Sequence, residues 1–173
     1  MFLLGVEAND ALRENRLNDA EHSHKTIIRY LQTQTLSEPE AEPKIAVGYH
    51  QLGMIAEERQ QFDVAEQWYR KALEIRERLG LERYAANDYH QLGMIAEERQ
   101  QFDAAEQWYR KALEIYERLG LERDAADDYH QLGRMRRRDS SLMLRSSGTV
   151  KRLKYLRSWA WKDMPLPIIT SWE

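Results

Sequence analysis

The sequence predicts an all-α fold, a right-handed solenoid of stacked antiparallel helix pairs, on three observations. Residues 89–128 repeat residues 49–88 with four changes: Val64 to Ala104, Arg76 to Tyr116, Tyr84 to Asp124 and Asn87 to Asp127. A third copy opens at Tyr129 with Tyr-His-Gln-Leu-Gly and then departs. Within each copy the apolar residues recur at helical spacing in two runs, separated by a short polar turn. A forty-residue period marks an array in which no unit buries its apolar face alone and neighbours complete the core.

The totals agree with this class. At 173 residues the chain has room for about four such units. It has no cysteine, which excludes disulfides and thiolate metal sites. The opening Met1-Phe2-Leu3-Leu4 is too short for a signal-peptide core, and no apolar run approaches the roughly 20 residues that span a bilayer. A cytoplasmic protein without membrane association is the expectation. The net charge of −3 hides a split: residues 134–173 hold ten Lys or Arg against Asp139, Asp163 and Glu173, whereas residues 1–133 hold 16 basic and 26 acidic side chains.

Residues 1–32 read as a diverged first unit. Leu17-Asn18-Asp19-Ala20-Glu21 aligns with Phe62-Asp63-Val64-Ala65-Glu66, and Ile27, Ile28 and Leu31 continue an apolar stripe, so helices are expected over about 4–15 and 18–32. Residues 33–44 combine Pro39 and Pro43 with acidic residues and no periodicity, which predicts a connecting loop closing a first segment, 1–44.

In the next unit, 45–88, Ile45, Tyr49, Leu52, Ile55 and Ala56 share one face of a helix A over about 45–59. Gln60-Gln61-Phe62 is the expected turn. Asp63 then reads as the N-cap of helix B, with Glu66 in the capping-box position, a pairing repeated as Asp103 with Glu106 and Asn18 with Glu21. Ala65, Tyr69, Ala72 and Ile75 form the buried stripe of helix B; Gly80 is its left-handed stop, beyond which Leu81 folds back on Ile75. The unit 89–128 repeats this pair over 83–99 and 103–119. The segment 129–173 continues a further helix A that begins near Asp124.

Small residues carry the most specific information. Gly53, Ala65 and Ala72 fall where two helices must approach closely, while Tyr49, Leu52, Phe62 and Tyr69 fill the space around them. The set Tyr49, Leu52-Gly53, Ala65, Tyr69 and Ala72, repeated as Tyr89, Leu92-Gly93, Ala105, Tyr109 and Ala112, resembles the tetratricopeptide repeat family. Over 45–133 the resemblance is to its forty-residue, kinesin-light-chain-like variety, whose unit exceeds the usual 34 residues. The aromatic residue that often ends helix A is replaced by Ala56 and Ala96, and the proline after helix B is missing.

After Gly133 the repeat gives way to a basic tail, and it can be recovered one nucleotide out of phase. Met and Trp codons end in G, so Trp159-Ala160 gives Gly, Trp161-Lys162 gives Glu, Met164-Pro165 gives Ala and Trp172-Glu173 gives Gly. Those match Gly120, Glu122, Ala125 and Gly133 of the preceding copy. With permitted codons elsewhere, residues 139–173 reproduce nearly all of the sequence from Gln100 to Gly133. A one-base deletion near codons 134–135 of a longer repeat gene, or an equivalent sequencing or cloning error, is the expectation, and the chain then reads as a truncated part of a longer protein. Arg136-Arg137-Arg138, Lys151, Lys154, Trp159 and Trp161 mix charge and rings as single-strand nucleic-acid binders do, but a slipped frame shapes no ligand site, so that reading ranks last. Val150, Leu153, Leu156 and Trp159 share one face of a helix over 149–161, which covers the open end of the array or mediates self-association there.

No catalytic residue, cofactor or metal site is expected. His50, His90 and His130 recur once per unit, but stacked helices lie about 8–10 Å apart, too far to share one ion with ligands about 2 Å away. The ladder reads as part of a solvent-facing groove, Glu57-Glu58 and Glu97-Glu98 as a solvated face, and Trp68 and Trp108 as interhelical packing. No Gly-rich phosphate loop or nucleophile motif is present. In the family that the repeats resemble, helix A lines a concave surface that binds extended peptides or helices. The resemblance implies a groove of His50, Gln51, Met54 and Glu57, then His90, Gln91, Met94 and Glu97, then His130 and Gln131. Family members that capture chaperone tails place Lys and Asn at the positions of His50 and Met54; without them the expected partner is a polar or basic segment with apolar anchors. The expected function is thus a non-enzymatic protein-protein interaction scaffold, the alternative being the sensor segment of a multidomain signalling NTPase.

Overall fold

The computed structural model describes residues 2–14, 16–34 and 40–145. Among these residues every regular element is an α-helix: α1 (Phe2–Arg13), α2 (Leu17–Gln34), α3 (Ala41–Glu58), α4 (Phe62–Arg78), α5 (Glu82–Glu98), α6 (Phe102–Arg118) and α7 (Glu122–Arg145). Each of α1 to α5 packs on the next, as antiparallel pairs laid in sequence order. The repeats lie in a compact unit, Met1–Gly133; the end of α7 belongs to a second unit, Arg134–Glu173. The tail helix expected over 149–161 lies outside the described residues.

The buried stripes are those the periodicity predicts. Ile45, Leu52, Ile55 and Ala56 of α3 and Ala65, Tyr69 and Ala72 of α4 are buried, as are Leu92, Ile95, Ala96, Ala105, Tyr109 and Ala112 in α5 and α6. Ile75 is only half-buried, and Leu73 takes its place in the core. A Cβ on Gly53 would stand 2.7 Å from Cε1 of Tyr69, and one on Gly93 would stand 2.7 Å from Cε1 of Tyr109. Each glycine is thus the notch into which the tyrosine of the following helix lies. Tyr69 and Tyr109 are fully buried, and their hydroxyls donate to Glu57 at 2.9 Å and Glu97 at 3.3 Å.

Three expectations are corrected. The loop expected over 33–44 is shorter, because α2 continues to Gln34 and α3 begins at Ala41. Pro43 is the third residue of α3, inside the first turn, where amides have no intrahelical acceptor and a missing N–H costs nothing. The N-cap of helix B falls two residues earlier than expected: Gln61 and Gln101 stand at the N-caps of α4 and α6, and neither makes a side-chain cap bond. Asp63 and Glu66 do not form a capping box. Both turn to the next pair, where Arg99 reaches Asp63 at 3.0 Å and Glu66 at 2.5 Å. Arg59 likewise donates to Glu21 and, at 2.6 Å, to Asn18. A guanidinium fork matches two acceptors at once, which one backbone amide cannot do.

The helices of each pair end alike. Gly80 has φ +66, and Leu81 N–H returns to the Arg76 carbonyl at 2.8 Å, the closure expected of a left-handed stop. Gln60 and Gln100 end α3 and α5 in the same left-handed region, at φ 57 and 59, with Gln61 N–H returning to Ala56 and Gln101 N–H to Ala96. Glutamine lacks the freedom of glycine there, so these two turns carry strain.

Candidate functional site

The site grows from the way successive first helices are clasped. His50 of α3 and Asp88 of α5 meet at 2.7 Å, and His90 of α5 and Asp128 of α7 at 2.6 Å. The carboxylate accepts, so Nδ1 of each ring carries the proton. Asp88 and Asp128 are fully buried. His50 and His90 are therefore half-buried clasps between units. His130 is exposed, and the residue forty positions beyond Asp128 is Ile168.

The two interfaces then diverge. In the first, Arg76 of α4 is 4% exposed and donates to Asp88 at 2.5 Å and to the Tyr84 carbonyl at 3.1 Å, with its guanidinium 5.6 Å from the centre of the Tyr84 ring. A buried charge is tolerated only when paired and hydrogen-bonded, and Arg76 is both. In the second, Tyr116 takes its place and its hydroxyl donates to Asn87 at 2.8 Å. Burial, reinforced by the charges of Asp128, Asp124 and Asp88, pushes the Tyr116 hydroxyl above the ordinary tyrosine range. Burial also raises Asp128 against the opposing hydrogen bond from His90.

Around this second interface His50, Asn87, His90, Gln91, Tyr116, Asp124 and Asp127 line a cavity of about 190 Å³. Of the residues proposed for a groove, the structure brings His50, His90 and Gln91 together here. Met54 is exposed, while Gln51, Met94 and Gln131 are half-buried. Glu57 and Glu97 do not belong to a solvated face: both are half-buried and accept from Tyr69 and Tyr109, and burial raises the Glu57 carboxyl above its usual range. Glu58 and Glu98, their neighbours, are exposed. Sequence reasoning missed Asn87, Tyr116, Asp124 and Asp127. The available signal was that all four stand at positions where the repeats differ.

A second concavity, about 270 Å³, involves Tyr89, Trp108, Arg70 and Lys111. The Tyr89 and Trp108 rings stack with centres 5.7 Å apart, Lys111 lies 4.8 Å and Arg70 5.2 Å from the Trp108 centre, and Tyr49 stacks on Trp68 at 5.5 Å. The tryptophans are thus interhelical packing, as expected, each capped by a cation. Among the described residues no group of three or more His, Asp or Glu is arranged to hold a metal ion, and no helix is long and apolar enough to cross a membrane.

Sequentially packed helix pairs joined by recurring clasps define a helical repeat array. Residues 44–118 match the model of the tetratricopeptide repeat family, and over that stretch the array is of that family. Among solved structures the chain is similar to the crystal structure of BtubC (BKLC) from P. vanneervenii, at 21% identity and a TM-score of 0.60, over 99% of this chain and 70% of that one. That likeness is one of fold. No curated protein matches the chain. Arrays of this family are in general protein-protein interaction modules.

Proposed function

We propose that this chain is a non-enzymatic scaffold that holds an extended peptide or a helix of a partner protein along a groove formed by α3, α5 and α7. One observation carries the reading: His50 of α3, His90 and Gln91 of α5, and Asp124 and Asp127 of α7 open onto one cavity. Three successive first helices therefore share a surface, the geometry needed to follow a partner across units. Alanine at His90, Met94 and Glu97 together tests it. The expected result is loss of the partners captured by the unmodified chain; capture unchanged in partner and amount overturns the groove.

The same chain reads as part of a longer array displaced by a one-base slip near codons 134–135. Asp103 and Glu106 repeat Asp63 and Glu66, yet the register that supplies Arg59 and Arg99 falls next on Asp139; His130 repeats His90, yet its acidic partner's register falls on Ile168. Both half-clasps regain their partner types in the other phase, where Arg138-Asp139 permits Arg and Pro167-Ile168 permits Asp. Sequencing the locus tests this, and codons for 139–173 that encode no repeat in any phase overturn it.

A further inference from the structure

The internal duplication supplies its own comparison. Three of the four differences between residues 49–88 and 89–128 fall on one spot: Arg76 and Tyr116, Tyr84 and Asp124, Asn87 and Asp127. In the first interface that spot is filled by the Arg76 guanidinium, held by Asp88 and the Tyr84 carbonyl. In the second the guanidinium is gone and two neutral residues have become carboxylates beside the cavity. Asp128 is fully buried and binds His90 through Oδ1, while its Oδ2, like that of Asp88, accepts no hydrogen bond from the protein. Asp124, Asp127 and Asp128 stand at i, i+3 and i+4 on α7, so all three point to one side of that helix. Among the described residues neither Asp124 nor Asp127 has an ion-pair partner.

We propose that the cavity lined by His90, Tyr116, Asp124 and Asp127 is a subsite for a cationic side chain, a guanidinium or ammonium on the bound segment, which takes the role Arg76 plays in the sister interface. This rests on the groove reading and deepens it by naming the partner's chemistry. Three carboxylates close together repel one another, and partial burial strengthens the repulsion; an incoming cation relieves it. Arg83 is a basic side chain that bears on Tyr116, and it does so more weakly than Asp128, Asp124 or Asp88. Tyr116 gives the cavity an aromatic wall against which a planar guanidinium can lie, as Arg76 lies over Tyr84. An acidic segment is excluded by the same charges.

The test uses the full chain and two probes of equal shape, N-acetyl-arginine amide and the uncharged N-acetyl-citrulline amide, titrated calorimetrically. Arginine amide is expected to bind at least about tenfold more tightly than citrulline amide, and less tightly as salt is raised. The preference should vanish in Asp124→Asn/Asp127→Asn. Equal binding of the two probes, or a preference unchanged in that double variant, overturns the proposal. Tyr116→Arg, which fills the spot with the chain's own guanidinium, guards against an effect of misfolding: it should keep the helical content and abolish arginine binding, and continued binding overturns the subsite. Met94→Ala/Glu97→Ala separates the two readings. If it leaves partner capture intact while arginine binding still follows Asp124 and Asp127, the groove fails and the subsite stands; if it abolishes capture while citrulline matches arginine, the subsite fails alone.

Discussion

His50 Nδ1 stands 2.7 Å from Asp88 Oδ1, 38 positions along the chain, and the contact joins α3 to α5 across the helix that separates them in sequence. His90 and Asp128 repeat it at 2.6 Å with the same separation. The two clasps share these partners but differ in what else the carboxylate faces, and that difference is measurable.

Asp88 also holds the buried Arg76 guanidinium, whereas Asp128 has Tyr116 nearby. Asp88→Ala should therefore cost about 3–5 kcal/mol, because it strips a buried charge of its partner. Asp128→Ala should cost only about 1–3 kcal/mol, the cost of a lost hydrogen bond. Urea unfolding of both variants checks the order, and equal losses would contradict it.

His24 predicts a pH response confined to the first pair. It is 6% exposed, its Nε2 has no protein partner, and burial alone depresses its pKa below the ordinary 6.5. A depressed histidine favours the fold while neutral, so its contribution is complete above 6.5 and is lost as pH falls through the depressed value. Protection of the α1 and α2 amides, relative to their intrinsic exchange rates at each pH, should fall on acidification more in the unmodified chain than in His24→Gln. An identical acid response in both would show that another group is responsible.

The left-handed glutamines offer stability gains. Gln60→Gly and Gln100→Gly should each raise stability by about 1 kcal/mol, since a side chain at positive φ costs about that much and both sites are exposed. The converse changes, Gly80→Ala and Gly120→Ala, should lower it by a similar amount, about 1 kcal/mol, at φ +66 and +67. Shifts in urea midpoint at constant slope would report both.

Three glycines at equivalent positions should respond differently to one methyl group. Gly53→Ala and Gly93→Ala force a Cβ to 2.7 Å from a buried tyrosine ring and should cost about 1–3 kcal/mol. Gly133→Ala meets nothing within 4 Å and should gain up to about 1 kcal/mol from helix propensity. Thermal unfolding of the three single variants distinguishes them, and a loss at Gly133 as large as at Gly53 would deny the notch its packing role.

What the sequence revealed was local. Helical spacing identified the buried faces through Leu52, Ile55, Tyr69 and Ala72, and the small residue before a large one marked the notch at Gly53. Contacts between units were hidden because their partners sit a whole unit apart. Nothing in the sequence paired His50 with Asp88, and Asn18 and Asp63 read as caps because nothing nearby in sequence suggested Arg59 or Arg99. Arg76 is flanked by charged residues and nothing in its own unit marked it as buried, yet the fold buries it. Pro43 read as a loop residue because a proline is permitted in a helix only in the turn whose amides are unpaired, and the start of α3 could not be fixed from periodicity. The cavity was legible only as a contrast between copies, at positions a single unit would not single out.

The His-to-Asp clasp has a direction. At both clasps the earlier helix pair gives its ring to a carboxylate of the following first helix, so the stretch that carries Asp88 and His90 holds a key for its predecessor and a lock for its successor. Tandem copying of that stretch within a gene would lengthen the protein with every new junction already matched, and no further adaptation would be required before the added segment could be kept. Unequal crossing-over between such stretches would change the number of segments while leaving each joint intact, so length is the property of this molecule that inheritance can alter most cheaply.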